Sequence, residues 1–159
     1  MRSRFRLAHR HRLHLTRRRK LAIYAVVGAT WGSGVAWLIF HYLLVRQGEF
    51  GPQPHPLEPW SLALHGACAF AALWLGGLLW PTHIVPWWTS GKRRSSGIVL
   101  IVMAGVLIVS GYLLYYTGGD GARGWIELSH WMVGLLLAIA LLVHALRSGH
   151  YHAPRHADK

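Results

Sequence analysis

The chain has 159 residues, 53% of them hydrophobic, and carries 17 lysines and arginines against five acidic residues for a formal charge of +12. Four apolar stretches and their short connections take up nearly all of that length, which leaves no room for a second folded domain. The single cysteine, Cys68, excludes an intrachain disulfide and a metal cluster held by four cysteines of this chain.

Residues 1–20, MRSRFRLAHRHRLHLTRRRK, form a basic tail with nine lysines and arginines. Beside an apolar stretch this reads as a cytoplasmic flank facing anionic lipid, with no nucleic acid as partner. Membrane spans are predicted over 21–45, 59–80 with a continuation to 88, 97–117 and 124–147. Each is long enough, at 1.5 Å per residue, to cross a hydrocarbon core of about 30 Å. Glu127 is the one acidic residue inside them. The first span exceeds the roughly 7–15-residue apolar core of a signal peptide and lacks a small-residue cleavage site after it, so it reads as a retained helix. RQGEFGPQPHPLE, with three prolines, stops that helix, and TGGDGARG makes a tight turn before the last. Trp60, Trp80, Trp87, Trp88 and Trp125 fall near span ends, where an amphipathic ring is most at home. Residues 149–159 form a histidine-containing tail.

Orientation follows from the basic residues. The N-terminal tail, the loop with Lys92, Arg93 and Arg94, and the C-terminal Arg147, Arg155 and Lys159 hold all but Arg46 and Arg123 of the 17. The positive-inside rule then predicts an all-α, up-down-up-down four-helix transmembrane bundle over 21–148 with both termini cytoplasmic.

That topology gives the histidines a depth. Spans two and four both run inward, so His65 and His130 share the outer half and His83 and His144 the inner. The 14 residues from His130 to His144 turn through about 1400°, leaving the rings within roughly 40° of each other and about 21 Å apart. The 18 residues from His65 to His83 make about five turns, some 27 Å, with Pro81 as a kink between them. Gly97 and Gly111 repeat the 14-residue interval on span three. Paired imidazoles with glycine beside them suit haem b, which needs two neutral ring nitrogens, a flat slot and an apolar shell. Two haems are expected, with one as the lesser count. His41 is a fifth candidate, as an alternative to His65.

The segments LHGACAFAALWLGGLLWPTHIVPWW, SSGIVLIVMAGVLIVSGYLLYYTGG and WIELSHWMVGLLLAIALLVHALRSG resemble the bacterial four-helix cytochrome b proteins. These are similar in plan to the b-type membrane subunits of formate dehydrogenase and nickel-iron hydrogenase. The resemblance spans residues 59–149 and rests mainly on the HG of span two and the HW-x12-H of span four. It implies bis-histidine iron ligation, with His65 and His130 for an outer haem and His83 and His144 for an inner one. It also implies electron transfer between a quinone pool and a c-type cytochrome or other redox subunit, in the bacterial cytoplasmic membrane. Such a chain works inside a larger respiratory or photosynthetic assembly rather than as a stand-alone catalyst. Arg46 and Arg123 outside, and Arg93, Arg94 and Arg147 inside, stand where propionates would emerge, and Glu127 is placed to accept a proton from a quinol. Two other classes fit the composition: a metal-ion transporter or sensor using the membrane histidines, and a haem-free scaffold subunit.

Overall fold

The computed structural model describes residues 16–89 and 95–149. The chain divides into two compact units, Met1–Lys92 and Arg93–Lys159. Lys92, Arg93 and Arg94, with most of both tails and their histidines, lie outside the described residues.

In the first unit, α1 runs from Arg17 to Leu38. Thr16 sits before it in an extended conformation, and its hydroxyl accepts the Arg19 N–H at 3.4 Å, satisfying one of the free donors of the first turn. A five-residue π turn, Ile39–Leu43, ends the helix. The proline-rich connection that follows makes a small antiparallel hairpin of β1 (Arg46–Gly48) and β2 (Gly51–Gln53), so the described chain is not purely helical, contrary to the all-α expectation. Gly51 reverses it at φ +107°, a conformation that costs a side-chain-bearing residue.

Helix α2 spans Glu58–Leu79, with a proline at its first positions and Glu58 in its first turn, both favourable at a helix start. A second π turn follows at Trp80–Ile84 and leads into α3, Val85–Thr89. Pro81 has no N–H to return to the turn before it, so the ladder must break there, and a widened turn absorbs the break without ending the helix.

In the second unit, α4 (Ser95–Tyr116) and α5 (Asp120–Gly149) are joined by three residues. Gly119, at φ +105°, makes the reversal. The predicted turn TGGDGARG is therefore mostly helix, because α5 begins directly after that one glycine. Arg123, one turn into α5, donates from its guanidinium to the carbonyls of Leu114 at 2.6 Å and Thr117 at 3.3 Å. The Leu114 carbonyl is in the last turn of α4 and Thr117 directly follows the helix, where carbonyls run out of helical donors.

Among the described residues, four helices are long and apolar enough to cross a membrane: Arg17–Leu43, Glu58–Thr89, Ser95–Tyr116 and Gly121–Arg147. The burial pattern fits that solvent. Among the described residues no hydrophobic side chain is buried, Phe70 and Trp74 are 75% and 69% exposed, and the buried residues are Ser33, Ser61 and Ser110. In water such an apolar surface would aggregate. In lipid it costs nothing, and small residues that let backbones approach are what brings helices together.

Candidate functional site

Within the first unit α1 and α2 run antiparallel, since Ser33 meets His65, and His41, in the π turn that follows α1, meets Glu58 at the start of α2. The His65 ring is held by its Nδ1, 2.8 Å from the Thr30 carbonyl oxygen and 3.4 Å from the Ser33 hydroxyl. Its edge lies over Gly34. A Cβ there would come 3.1 Å from Cε1 and 3.2 Å from Nδ1 of the ring, closer than ordinary van der Waals contact allows. Gly34 is thus the position that makes room for the imidazole.

The second unit repeats the device. Ser110 of α4 meets Nδ1 of His130 on α5 at 2.8 Å, and a Cβ at Gly111 would lie 3.3 Å from Cε1 of the same ring. About four turns further along the antiparallel pair, Ser96 meets Nδ1 of His144 at 3.0 Å. The 14-residue interval between the histidines matches the 14-residue interval between the serines, as constant register along two antiparallel helices requires. Three of the four expected ligands therefore face a Ser–Gly step. The two glycines singled out from sequence differ: Gly111 lies against His130, whereas a Cβ at Gly97 would meet nothing within 4 Å.

His83 has a different setting. It lies in the π turn, half-buried, tilted against Trp87 with ring centroids 6.3 Å apart. A turn closed by i→i+5 bonds advances less per residue than an α turn, so the five-turn count that put His65 and His83 on one face does not carry through this segment.

His41 also lies in a π turn, with its Nδ1 2.7 Å from a Glu58 carboxylate oxygen and its ring stacked on Trp37 at 4.5 Å. Its role here is to tie the end of α1 to the start of α2. His55 stacks on Phe40 at 4.6 Å, which anchors the hairpin from its other side. Arg46 is exposed on β1 opposite Gln53, and Arg147 is exposed in the last turn of α5, where a cation complements the helix dipole. Arg123 is engaged with the α4 carbonyls. Glu127 is half-buried on α5, three residues before His130 and so on its face. Arg93 and Arg94 lie outside the described residues.

The polar atoms behind the imidazoles are what sequence reasoning missed: Thr30, Ser33, Ser96 and Ser110, together with Gly34. Their signal was the recurrence of Ser–Gly at 33–34, 96–97 and 110–111. An imidazole that would ligate iron through one nitrogen is oriented when its other nitrogen is hydrogen-bonded, and His65 and His130 have Nδ1 engaged in that way. In this respect the residues fit haem b. Among the described residues, no three His, Cys, Asp or Glu side chains gather where they could hold a metal ion. No protein-family model matches the chain, and no curated protein or solved structure matches it.

Proposed function

We propose that the chain is a di-haem b-type cytochrome of a bacterial cytoplasmic membrane. It would carry electrons between a quinone pool and a c-type cytochrome or other redox subunit, inside a larger assembly. The proposal takes the helices as up-down-up-down with both termini cytoplasmic. His65 and His130 ligate the outer haem, and His83 and His144 the inner.

One observation carries the reading: in otherwise apolar helices, His65, His130 and His144 are each held at Nδ1 by a neighbouring helix, at positions where glycine follows serine. Bound there, haem b supplies the one-electron redox chemistry. The chain's own part is narrower. His65 and His130 present oriented imidazoles, Gly34 and Gly111 leave space for them, and the lipid-exposed apolar helices keep the dielectric low and water away. Moving one charge through the full membrane potential involves about 2.3 kcal/mol per 100 mV, so two redox centres at different depths couple electron flow to that field.

The scaffold reading is favoured by the same bonds, because serine and histidine also join membrane helices without any cofactor. A zinc or copper carrier gains less support, since it needs several ligands converging at one depth. Counting haem per chain in the purified protein separates these readings. Two haems are expected in the unsubstituted chain and one in each of His130→Ala and His144→Ala. An equal count in all three would remove α5 as the ligand helix.

A further inference from the structure

We infer that acceptors on the neighbouring helix, the Ser110 hydroxyl oxygen at His130 and the Thr30 carbonyl at His65, decide which ring nitrogen these two histidines present, placing the proton on Nδ1 and the lone pair on Nε2. This rests on the haem reading only in naming iron as the atom that Nε2 would meet.

The direction of each hydrogen bond gives the argument. Ser110 has one hydroxyl proton, and its oxygen lies 2.6 Å from the Val106 carbonyl, which can only accept. The proton is therefore spent within α4, as serine back-bonding in a helix usually arranges. Across the 2.8 Å contact to His130, the Ser110 oxygen is left as acceptor and Nδ1 must donate. A neutral imidazole has one N–H, so His130 carries it on Nδ1. The doubly protonated ring would satisfy the same contact, but it brings a charge into an apolar span and cannot ligate a metal.

His65 reaches the same state by a second route. Its Nδ1 lies 2.8 Å from the Thr30 carbonyl, again an obligatory acceptor. The Ser33 hydroxyl, 3.4 Å from that nitrogen, directs its own proton to the Ala29 and Thr30 carbonyls at 2.8 and 3.0 Å. His65 is thus fixed twice and His130 once. At His144 the 3.0 Å contact to Ser96 has the same partners, but Ser96 lies in the first turn of α4, and so the direction of its bond is set less firmly. Ser110 and Thr30 are positioning residues: they act on the iron only through the ring they hold.

The test is nitrogen NMR on full-length chain labelled with 15N-histidine and produced haem-free in detergent, where protonated and bare ring nitrogens give distinct signals. Nδ1–H is expected for His65 and His130. In Ser110→Ala the ratio of Nδ1–H to Nε2–H at His130 should fall about fivefold, the size of one typical net hydrogen bond. Ser110→Thr, which keeps a hydroxyl, should restore it. Ser33→Ala should leave His65 unchanged, because the Thr30 carbonyl remains. Nε2–H at His130 in the unsubstituted chain would overturn the inference, as would a ratio that ignores Ser110→Ala. If Ser110→Ala does not fold, the unsubstituted signal decides. The haem reading fails separately: the tautomers would stand while added haem gives no bound species.

Discussion

Three glycines beside or near the histidines differ in what a methyl group would meet, and alanine at each makes a graded test. At Gly34 the new Cβ would lie 3.1 Å from Cε1 and 3.2 Å from Nδ1 of His65. Ordinary carbon contacts begin near 3.5 Å, so the ring must retreat by about 0.4 Å, and that movement stretches the bond to the Thr30 carbonyl. Overpacking of this kind costs about 1–3 kcal/mol, against a gain of about 0.5–1 kcal/mol for replacing glycine by alanine inside a helix. The net expectation for Gly34→Ala is a loss of about 1–2 kcal/mol.

At Gly111 the nearest atom, Cε1 of His130, is 3.3 Å away, and a shift of about 0.2 Å relieves it, so Gly111→Ala should come out near zero. At Gly97 nothing lies within 4 Å, and the helix gain should stand alone. Detergent-titrated unfolding of the haem-free chain measures all three. The order expected is Gly97→Ala most stable, Gly111→Ala next and Gly34→Ala least. Equal stability of Gly34→Ala and the parent, or a loss at Gly97→Ala as large as at Gly34→Ala, would refute the packing argument. The haem-loaded protein adds a contrast: a porphyrin edge at Gly97 would make Gly97→Ala harmful only when haem is present, read as faster haem loss.

Arg123→Ala should lower stability by about 1–2 kcal/mol, because the Leu114 and Thr117 carbonyls lose a charged donor, and faster amide exchange in the last turn of α4 would report it. Glu58→Gln should cost no more than about 1 kcal/mol, since the His41 side chain is 40% exposed and solvent screens the pair; unfolding in the same detergent measures it. Pro81→Ala restores an N–H at the start of the second π turn and should let Trp80–Ile84 relax toward α geometry, turning His83 relative to α2. Site-directed spin labels on α2 and α3 would register that rotation, and unchanged spectra would count against proline as the cause.

Much of this architecture was legible in the chain. Four apolar runs gave four helices, because length and hydropathy suffice where lipid is the solvent. The helical stretch that begins at Glu58 continues through the second π turn to Thr89, where α3 ends. Glycine-rich TGGDGARG was read as a tight turn, yet within it only Gly119 takes a left-handed conformation, and the glycines after it sit in a helix anchored by Arg123. The π turns were illegible because they change the number of residues per turn without changing hydrophobicity, and counting by 3.6 takes no account of the one that holds His83. The seats of the histidines were half visible. The interval of Gly97 and Gly111 was read as a slot, but the serine before each glycine was not singled out, and Gly34 lay in a span with no matching interval. Which hydroxyl faces which ring depends on the register between helices, and no local pattern states it.

The central claim is most directly tested by the absorption spectrum of the purified full-length chain, oxidised and then reduced with dithionite. A sharp α-band with six-coordinate, low-spin character, diminished in His65→Ala and in His130→Ala, is the result this account predicts. A protein that folds with its helices intact and shows no haem absorption after haem-replete expression would contradict it.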